Sequence, residues 1–317
     1  MSKWTYGPGA PPSTAGTSGD IIADRRYAWA EAAAADGDHA AAADLFAQTL
    51  ELTPDWAAAW FALGEAREKI DDGPGAVEAF ARAAALDTHD ALGARLRLAV
   101  HGAQNAPLAA SPAYIRALFD QYAGRFETHL VETLRYRGPQ LLRAGLEHAC
   151  TLTGRAFWFR NALDLGCGTG LMAKALQPLV SAFAGVDLSP KMVAAARMTG
   201  CYRRVEAGEL VEFLGGEPDA SADLAVAADV LVYIGDLRGV FAQCARVLEP
   251  GGLFGFTVQQ GEALWALGPD LRYAHAPGYL RGLAAQHGFE TLSMEAAPTR
   301  QDAGRDVPGL VCVLARA

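Results

Sequence analysis

The sequence predicts an α/β domain with a mostly parallel sheet, preceded by an all-α domain of helical repeats. Two observations support this prediction. Between about residues 21 and 105 the chain is alanine-rich, and residue types recur at a fixed spacing, as in helical-repeat proteins. From about residue 160, short apolar runs alternate with helical stretches, a pattern typical of βαβ units. The 317-residue chain therefore divides into residues 1–20, 21–105 and 106–317.

Composition and charge narrow the classes of partner. The chain is 51% hydrophobic and carries a net charge of −9, a field that repels phosphate backbones and disfavours nonspecific nucleic-acid binding. No run approaches the ~18 apolar residues of a membrane span, and the N-terminus lacks the apolar core of a signal peptide. The five cysteines are scattered and form no CxxC pair, so we expect neither disulfides nor a metal site. A cytoplasmic protein is expected, with no nucleic-acid or membrane partner.

The first segments are a tail and a repeat. Residues 1–20 are rich in Gly, Pro, Ser and Thr and are predicted to be disordered. In residues 21–105, two pairs recur 34 residues apart, Ala42 with Ala76 and Phe46 with Phe80. With the W-x-x-L-G spacing that begins at Trp60, this stretch resembles the tetratricopeptide repeat. That resemblance implies either a peptide-binding surface for a protein partner or a structural support or dimerisation element.

A glycine-rich turn carries the strongest functional signal. The apolar run at Ala162–Leu165 contains an acid, Asp164, and is followed by three alternating glycines and then a predicted helix from about Leu171. Strand, glycine turn and helix together form a ligand site at the carboxyl edge of a parallel sheet. Dinucleotide enzymes use G-x-G-x-x-G, whose last glycine would fall at Leu171. An acid before the turn suits the ammonium of a methionine moiety better than a pyrophosphate.

The string D-L-G-C-G-T-G resembles motif I of class I S-adenosylmethionine-dependent methyltransferases. The resemblance implies a Rossmann-like, seven-stranded, mostly parallel sheet and S-adenosyl-L-methionine as the cofactor. The residues of this string that would bind it are Asp164, Gly166, Cys167, Gly168 and Gly170.

The following segments resemble the same family. Asp187 ends the next apolar run, where a carboxylate accepts both ribose hydroxyls, and Leu188 and Met192 would flank the adenine. Glu209 and Leu210 lie where the family often has an acid near the adenine edge. Taken one at a time, the two aspartates could be strand-end capping acids, Glu209 a solvated acid and Met192 plain core.

Three further segments resemble a bacterial group of predicted methyltransferases that carry N-terminal tetratricopeptide repeats: residues 119–130, 229–237 and 272–275. Tyr122 and Phe126 fall in the first of them, on a predicted helix before the first strand, where they would cover the cofactor or pack as core. The resemblance implies a reaction class and no substrate.

Catalytic candidates follow the later strands. Asp229, which is also expected to contact the cofactor, and Tyr233 come after the fourth strand. His275 lies between the fifth and sixth, where this fold usually contacts substrate. With an ordinary pKa near 6.5, His275 suits proton transfer, although a hydrogen-bonded structural histidine is the alternative. The N/D-P-P-Y/F tetrapeptide used for nucleic-acid bases is replaced by Ala227-Ala228-Asp229-Val230.

We therefore predict methyl transfer by in-line displacement to an acceptor that is most simply a small molecule. Three alternatives stay open: a protein methyltransferase that recruits its substrate through the repeats, a binding module that has lost catalysis, and a nicotinamide oxidoreductase.

Overall fold

The chain forms two compact units. The structure is a computed structural model that describes residues 16–123, 135–302 and 304–317. The first unit ends at Leu118 and the second begins at Phe119, within the helix α6. Most of the predicted tail and residue Phe126 lie outside the described residues.

The first unit is helical throughout its regular structure. Its helices are α1 (Ile21–Ala35), α2 (His39–Leu52), α3 (Ala57–Lys69), α4 (Gly73–Leu86), α5 (Ala94–Val100) and α6 (Pro112–Tyr122). Each of the first four packs against the next along the chain, so that α1 to α5 form a consecutive series of antiparallel contacts.

The 34-residue spacing of the sequence is also present in the helix boundaries. Asp38 caps α2 by accepting from the N–H of Ala41, and Asp72, 34 residues later, caps α4 by accepting from the N–H of Gly75. The repeated alanine and phenylalanine positions are all buried. At Gly64 an added Cβ would lie 2.6 Å from Cε1 of Phe80, so only glycine permits the observed approach of α3 and α4.

The second unit alternates strands and helices. Its first half comprises α7 (Gly138–Thr153), β1 (Phe159–Leu165), α8 (Leu171–Leu176), β2 (Val180–Asp187), α9 (Pro190–Met198), β3 (Tyr202–Ala207), α10 (Leu210–Gly216) and β4 (Ala222–Ala227). Its second half comprises α11 (Arg238–Val247), β5 (Leu248–Gln260), β6 (Trp265–Leu267), β7 (Tyr273–His275), α12 (Pro277–Gln286), β8 (Phe289–Ala296), β9 (Gln301–Asp302), β10 (Arg305–Asp306) and β11 (Gly309–Arg316).

The central sheet has the order β3-β2-β1-β4-β5-β11-β8. Strands β1 to β5 pair in parallel, and β11 is antiparallel to both β5 and β8. The chain turns to opposite sides of β1 when it forms β2 and β4, and ligands bind in the crevice that such a reversal leaves at the carboxyl ends. The predicted α/β fold with a mostly parallel sheet is confirmed.

The strand count differs from the prediction. Seven strands form the continuous path, but the sheet has nine, because β7 pairs with the end of β5 and β6 pairs with β7. These two strands are three residues long, too short to show a period-2 pattern in the sequence.

Both faces of the sheet are covered. In β11, Leu310, Cys312 and Leu314 face the core that contains α10, α11 and α12, while Val311 and Val313 face the core that contains α7 and α8. A strand buried on both faces reads as a continuous apolar run, which is how this segment stands in the sequence. The sheet is therefore a rigid base for the loops at its carboxyl edge.

Candidate cofactor and acceptor site

The turn between β1 and α8 requires its glycines. Gly166, Gly168 and Gly170 have φ values of 67°, 53° and 89°, in the left-handed region that L-residues rarely adopt. At Gly166 an added Cβ would lie 2.3 Å from Cγ2 of Val230, in the loop after β4. The turn therefore combines a backbone that only glycine adopts readily with close packing against the neighbouring loop.

Asp164 is a buried acid beside this turn. Its side chain is 1% exposed, and its Oδ2 accepts a hydrogen bond of 2.6 Å from the Tyr202 hydroxyl. Burial raises the pKa of Asp164 to about 7; the hydrogen bond from Tyr202 opposes this shift and the nearby charge of Asp187 adds to it. A cation that reached Asp164 would favour its ionised form.

Asp187, at the end of β2, stabilises the same turn through hydrogen bonds. Its Oδ2 accepts from the N–H of Gly168 at 2.9 Å, and its Oδ1 accepts from the N–H of Ser189, also at 2.9 Å. Each carboxylate oxygen keeps a second lone pair for a ligand. Ser189 caps α9 and donates its hydroxyl to Asp120 at 2.5 Å, which joins the end of α6 to this loop.

The other predicted cofactor residues take different positions. Cys167 is buried in the turn, where burial, followed by the charges of Asp164 and Asp187, raises its thiol pKa and keeps it protonated. Leu188 is partly buried after Asp187. Met192, Leu210 and Tyr122 are buried, and Met192 has no exposed surface, which favours the core alternative for that residue.

Glu209 has a local structural role. Its Oε2 accepts from the backbone N–H groups of Val211 and Glu212 at 2.7 and 3.0 Å, so it caps α10. Its second oxygen accepts neither of these bonds, and the side chain is partly exposed. A capping role and a contact to a ligand are therefore compatible.

Asp229 follows β4 in a strained backbone conformation. Its φ is 59°, which is unusual for a residue other than glycine, and its N–H donates to Oγ1 of Thr257 on β5 at 2.9 Å. Its Oδ2 lies 3.2 Å from Nη1 of Arg272. Because Val230 packs on Gly166, Asp229 stands next to the glycine turn.

Tyr233 is buried in a short 3-10 helix over residues 231–233. The Arg272 guanidinium lies 5.2 Å from its ring centroid, and Phe119 meets the ring edge-on at 5.6 Å. Burial raises the pKa of its phenol, so the group stays protonated at neutral pH and can donate a hydrogen bond.

His275 is fully buried in β7. Its Nε2 lies 3.0 Å from the carbonyl oxygen of Ile234 and 3.1 Å from that of Gly235, so this nitrogen carries the proton and donates to both. Burial lowers its pKa to about 4, so the ring is neutral at pH 7. No hydrogen bond joins it to the acids at the glycine turn among the described residues, which favours the structural alternative.

Four residues of this region were not found by sequence reasoning: Tyr202, Tyr136, Asp270 and Arg300. Tyr202 contacts Asp164 from a strand 38 residues further along, and nothing in the local sequence signals this pairing. Tyr136 lies close enough to Asp164 and Asp229 for their charges to raise its pKa, although burial contributes more. Only the fold brings these side chains together.

Comparisons with known proteins agree with this geometry. Residues 163–256 match the family model described as a methyltransferase domain. Over 111 residues, 34% of this chain and 46% of the relative, the chain is 34% identical to the ubiquinone biosynthesis O-methyltransferase of Xanthomonas oryzae pv. oryzae (strain PXO99A). The protein of the same name from Xanthomonas campestris pv. campestris (strain B100) is 33% identical over the same shares of the two chains.

A solved structure shares the fold. The 1,6-didemethyltoxoflavin-N1-methyltransferase of Burkholderia thailandensis, solved with S-adenosylhomocysteine, matches with a TM-score of 0.51 and 20% identity over 68% of this chain and 93% of that one. The second unit therefore shares the fold of this methyltransferase and contains the residues that match the methyltransferase-domain model. The chain spans just under half the length of the curated relatives that it matches.

The residues at the glycine turn are compatible with S-adenosylmethionine. Asp187 keeps lone pairs that ribose hydroxyls could use, and Asp164 is an acid that could face an ammonium group. In the glycine turn, Oγ1 of Thr169 is buried without a hydrogen-bond partner among the described residues, so it is available to a polar ligand.

Over the described parts of the chain, no helix is long and apolar enough to cross a membrane, and no group of three or more His, Cys, Asp or Glu could hold a metal ion.

Proposed function

We propose that the protein transfers the methyl group of S-adenosylmethionine to a small-molecule acceptor. The observation that carries this proposal is the placement of Asp164 and Asp187 at the ends of adjacent parallel strands, on either side of the glycine turn and next to Asp229. The relatives are named for small acceptors, which supports the same class.

The proposed mechanism is mainly one of alignment. When bound, the cofactor supplies a methyl group on a sulfonium, whose carbon–sulfur bond breaks as the acceptor's lone pair forms the new bond. Asp164 would bind the ammonium group of the cofactor, and Asp187 would bind its ribose hydroxyls. The rigid turn between them fixes the reacting geometry, which lowers the entropic part of the barrier.

Asp229 is the proposed proton acceptor where the acceptor attacks through a hydroxyl, or through an amine that must first lose a proton from its ammonium form. Its Oδ2 faces Arg272, and its Oδ1 takes no hydrogen bond from the described residues. Tyr233, which stays protonated, is proposed to orient the acceptor by donating a hydrogen bond. For His275 the proposed role is structural.

The more detailed predictions from the sequence, on the identity of the domains, the role of the repeats and the location, are also proposals. We propose that residues 21–105 are tetratricopeptide-like, that residues 106–317 form the catalytic domain, and that the chain belongs to the bacterial group with both parts. The 34-residue repeat of the caps Asp38 and Asp72 supports the first assignment. We prefer a structural supporting role for the repeats to the recruitment of a protein substrate. We also propose that the protein is located in the cytoplasm.

The test is a turnover screen of the full-length protein with S-adenosylmethionine, small phenols, amines, thiols and carboxylic acids, and purified proteins. Acceptor-dependent release of S-adenosylhomocysteine from a small molecule is expected, and Asp229→Asn should lower kcat at least roughly tenfold with unchanged affinity for S-adenosylhomocysteine. Labelling of proteins alone would favour the recruitment alternative. Cofactor binding without any turnover would favour a binding module.

A further inference from the structure

Four charged side chains form a cluster beyond the glycine turn, which we call the arginine cluster: Asp229, Asp270, Arg272 and Arg300. Arg272 pairs with Asp229 at 3.2 Å, and Nη2 of Arg300 lies 3.4 Å from Oδ2 of Asp270. A third contact links these two ion pairs, because the backbone N–H of Arg272 donates to Oδ1 of Asp270 at 3.3 Å. Two cations and two anions thus lie together at the carboxyl edge of β4 and β5.

Arg300 is incompletely paired within this cluster. Its side chain is 4% exposed, yet its ion pair with Asp270 is long, and Oδ2 of Asp270 also accepts a shorter hydrogen bond of 2.9 Å from Nε2 of Gln259. Its Nε is buried and has no hydrogen-bond partner among the described residues. Burial, and after it the positive charge of Arg272, lowers the pKa of Arg300. A buried guanidinium with an unused N–H is costly unless a ligand satisfies it.

The cluster is continuous with the proposed methyl-transfer site. Asp229 precedes Val230, which packs on Gly166 of the glycine turn. Tyr136 lies near both parts, since the charges of Asp229 and Asp164 raise its pKa after burial, while Arg272 and Arg300 oppose them. Asp270 keeps 25% of its side chain exposed, so solvent reaches the cluster on that side.

We propose that the arginine cluster binds a carboxylate group of the acceptor, so that the acceptor is a small carboxylic acid. This inference rests on the proposed function, because it specifies the substrate class of the same site. The carboxylate would accept from Nε of Arg300 and share the positive field of Arg272. A planar guanidinium matches a planar carboxylate through two parallel hydrogen bonds, which gives direction as well as affinity.

The charge balance selects a monoanion. The two positive and two negative side chains sum to a net charge of zero, and the Nε edge of the Arg300 guanidinium is unpaired among the described residues. A monoanion places a single negative charge against that edge. A phosphate dianion would bring a second charge close to Asp229 and Asp270, where like charges repel. A neutral amide would bring no negative charge to the unused N–H of Arg300.

The experiment is a calorimetric titration of the full-length protein, saturated with S-adenosylhomocysteine, with benzoate, benzamide and phenyl phosphate. Benzoate is expected to bind at least tenfold more tightly than either of the others. Arg300→Gln should reduce the ratio of benzoate to benzamide affinity to about one, and Arg300→Lys should retain part of it. Arg305→Gln, which alters an exposed arginine of β10, is the matched control and should leave the ratio unchanged.

Two measurements separate the possible failures. The affinity for S-adenosylhomocysteine of the unchanged protein tests the proposed function, and the thermal midpoint of each variant shows whether it is folded. Equal binding of benzoate and benzamide, no binding of either, a preference for phenyl phosphate, or a preference that survives in folded Arg300→Gln would overturn the inference. If Arg300→Gln does not fold, the ratio in the unchanged protein and in Arg300→Lys decides.

Discussion

At the scale of single residues, the acid before the glycine turn illustrates a conflict between stability and binding. Burial disfavours the charged form of Asp164, but a ligand ammonium needs that form. A group whose pKa is raised from 3.8 to about 7 binds more protons in the folded than in the unfolded state. Stability contributed by the protonated acid is therefore lost as the pH rises from about 4 to 7.

The Asp164→Asn substitution should separate these effects. At pH 8 the unliganded variant is expected to melt a few degrees above the unchanged protein, since about 1 kcal/mol moves Tm by roughly 2–4 °C in a domain of this size. Near pH 4 the two should melt alike. Affinity for S-adenosylmethionine should fall roughly tenfold or more because a charge-assisted contact is lost. A variant that melts lower at pH 8, or binds as tightly as before, would contradict this account.

His275 gives the opposite dependence on pH. Its pKa is lowered from 6.5 to about 4, so the folded state binds fewer protons, and stability is lost as the pH falls from 6.5 towards 4. His275→Gln should lower the free energy of unfolding by about 1–3 kcal/mol at pH 7 and remove this loss. Denaturant unfolding from pH 4 to 8 measures both effects. Unchanged stability with a large fall in kcat would instead support a role in proton transfer.

The acids and glycines that we propose for the cofactor could be placed near one another from the sequence, because they are close along the chain and their spacing is specific. Asp164 and Gly170 are separated by only six positions, and Asp187 ends the next apolar run. The pairing of Arg300 with Asp270 could not be predicted in this way, since 30 residues separate them and each could equally have faced solvent.

At the scale of elements, the helical unit depends on small residues at fixed places. Gly64 on α3 faces the ring of Phe80 on α4, and the repeated alanines are fully buried on the facing helices. Close packing leaves no space for an added methyl group there. The repeat in the sequence thus reflects the distance between neighbouring helices.

Gly64→Ala tests this packing. Despite the better helix propensity of alanine, the variant should lose about 1–3 kcal/mol of stability, because its Cβ would lie within 2.6 Å of Cε1 of Phe80. Gly73→Ala is the matched control, since a Cβ there meets no atom within 4 Å. Unfolding followed by circular dichroism measures both. Recovery in the double variant with Phe80→Leu is expected, and equal stability of the two single variants would contradict the packing argument.

The sequence predicted the longer strands more successfully than the three-residue strands. Strands β2 and β4 stand out as apolar runs, whereas β3, with the sequence YRRVEA, does not. The apolar runs around Phe289–Met294 and Leu310–Leu314 form the antiparallel strands β8 and β11. Strands β6 and β7 were missed because they are defined by pairing, of β7 with the end of β5 and of β6 with β7, and not by a local pattern. They also place His275 inside the sheet, which accounts for the difference between its predicted and observed surroundings.

At the scale of the whole molecule, one chain joins a helical unit and an α/β unit, and we propose that the second binds S-adenosylmethionine. The sequence distinguishes this cofactor from a dinucleotide by Leu171 in place of a glycine and by the acid before the turn. The structure adds that Asp187 holds the turn through the N–H of Gly168. Loss of its carboxylate would therefore remove this hydrogen bond to the turn together with the proposed contact to the cofactor.

The most direct measurement is calorimetric titration of the full-length protein with S-adenosylmethionine, S-adenosylhomocysteine and NAD, repeated with Asp187→Ala. We expect micromolar binding of both sulfur compounds, about −8 kcal/mol, with no binding of NAD and at least tenfold weaker binding in the variant. Binding of NAD alone, or of neither sulfur compound, would contradict this expectation.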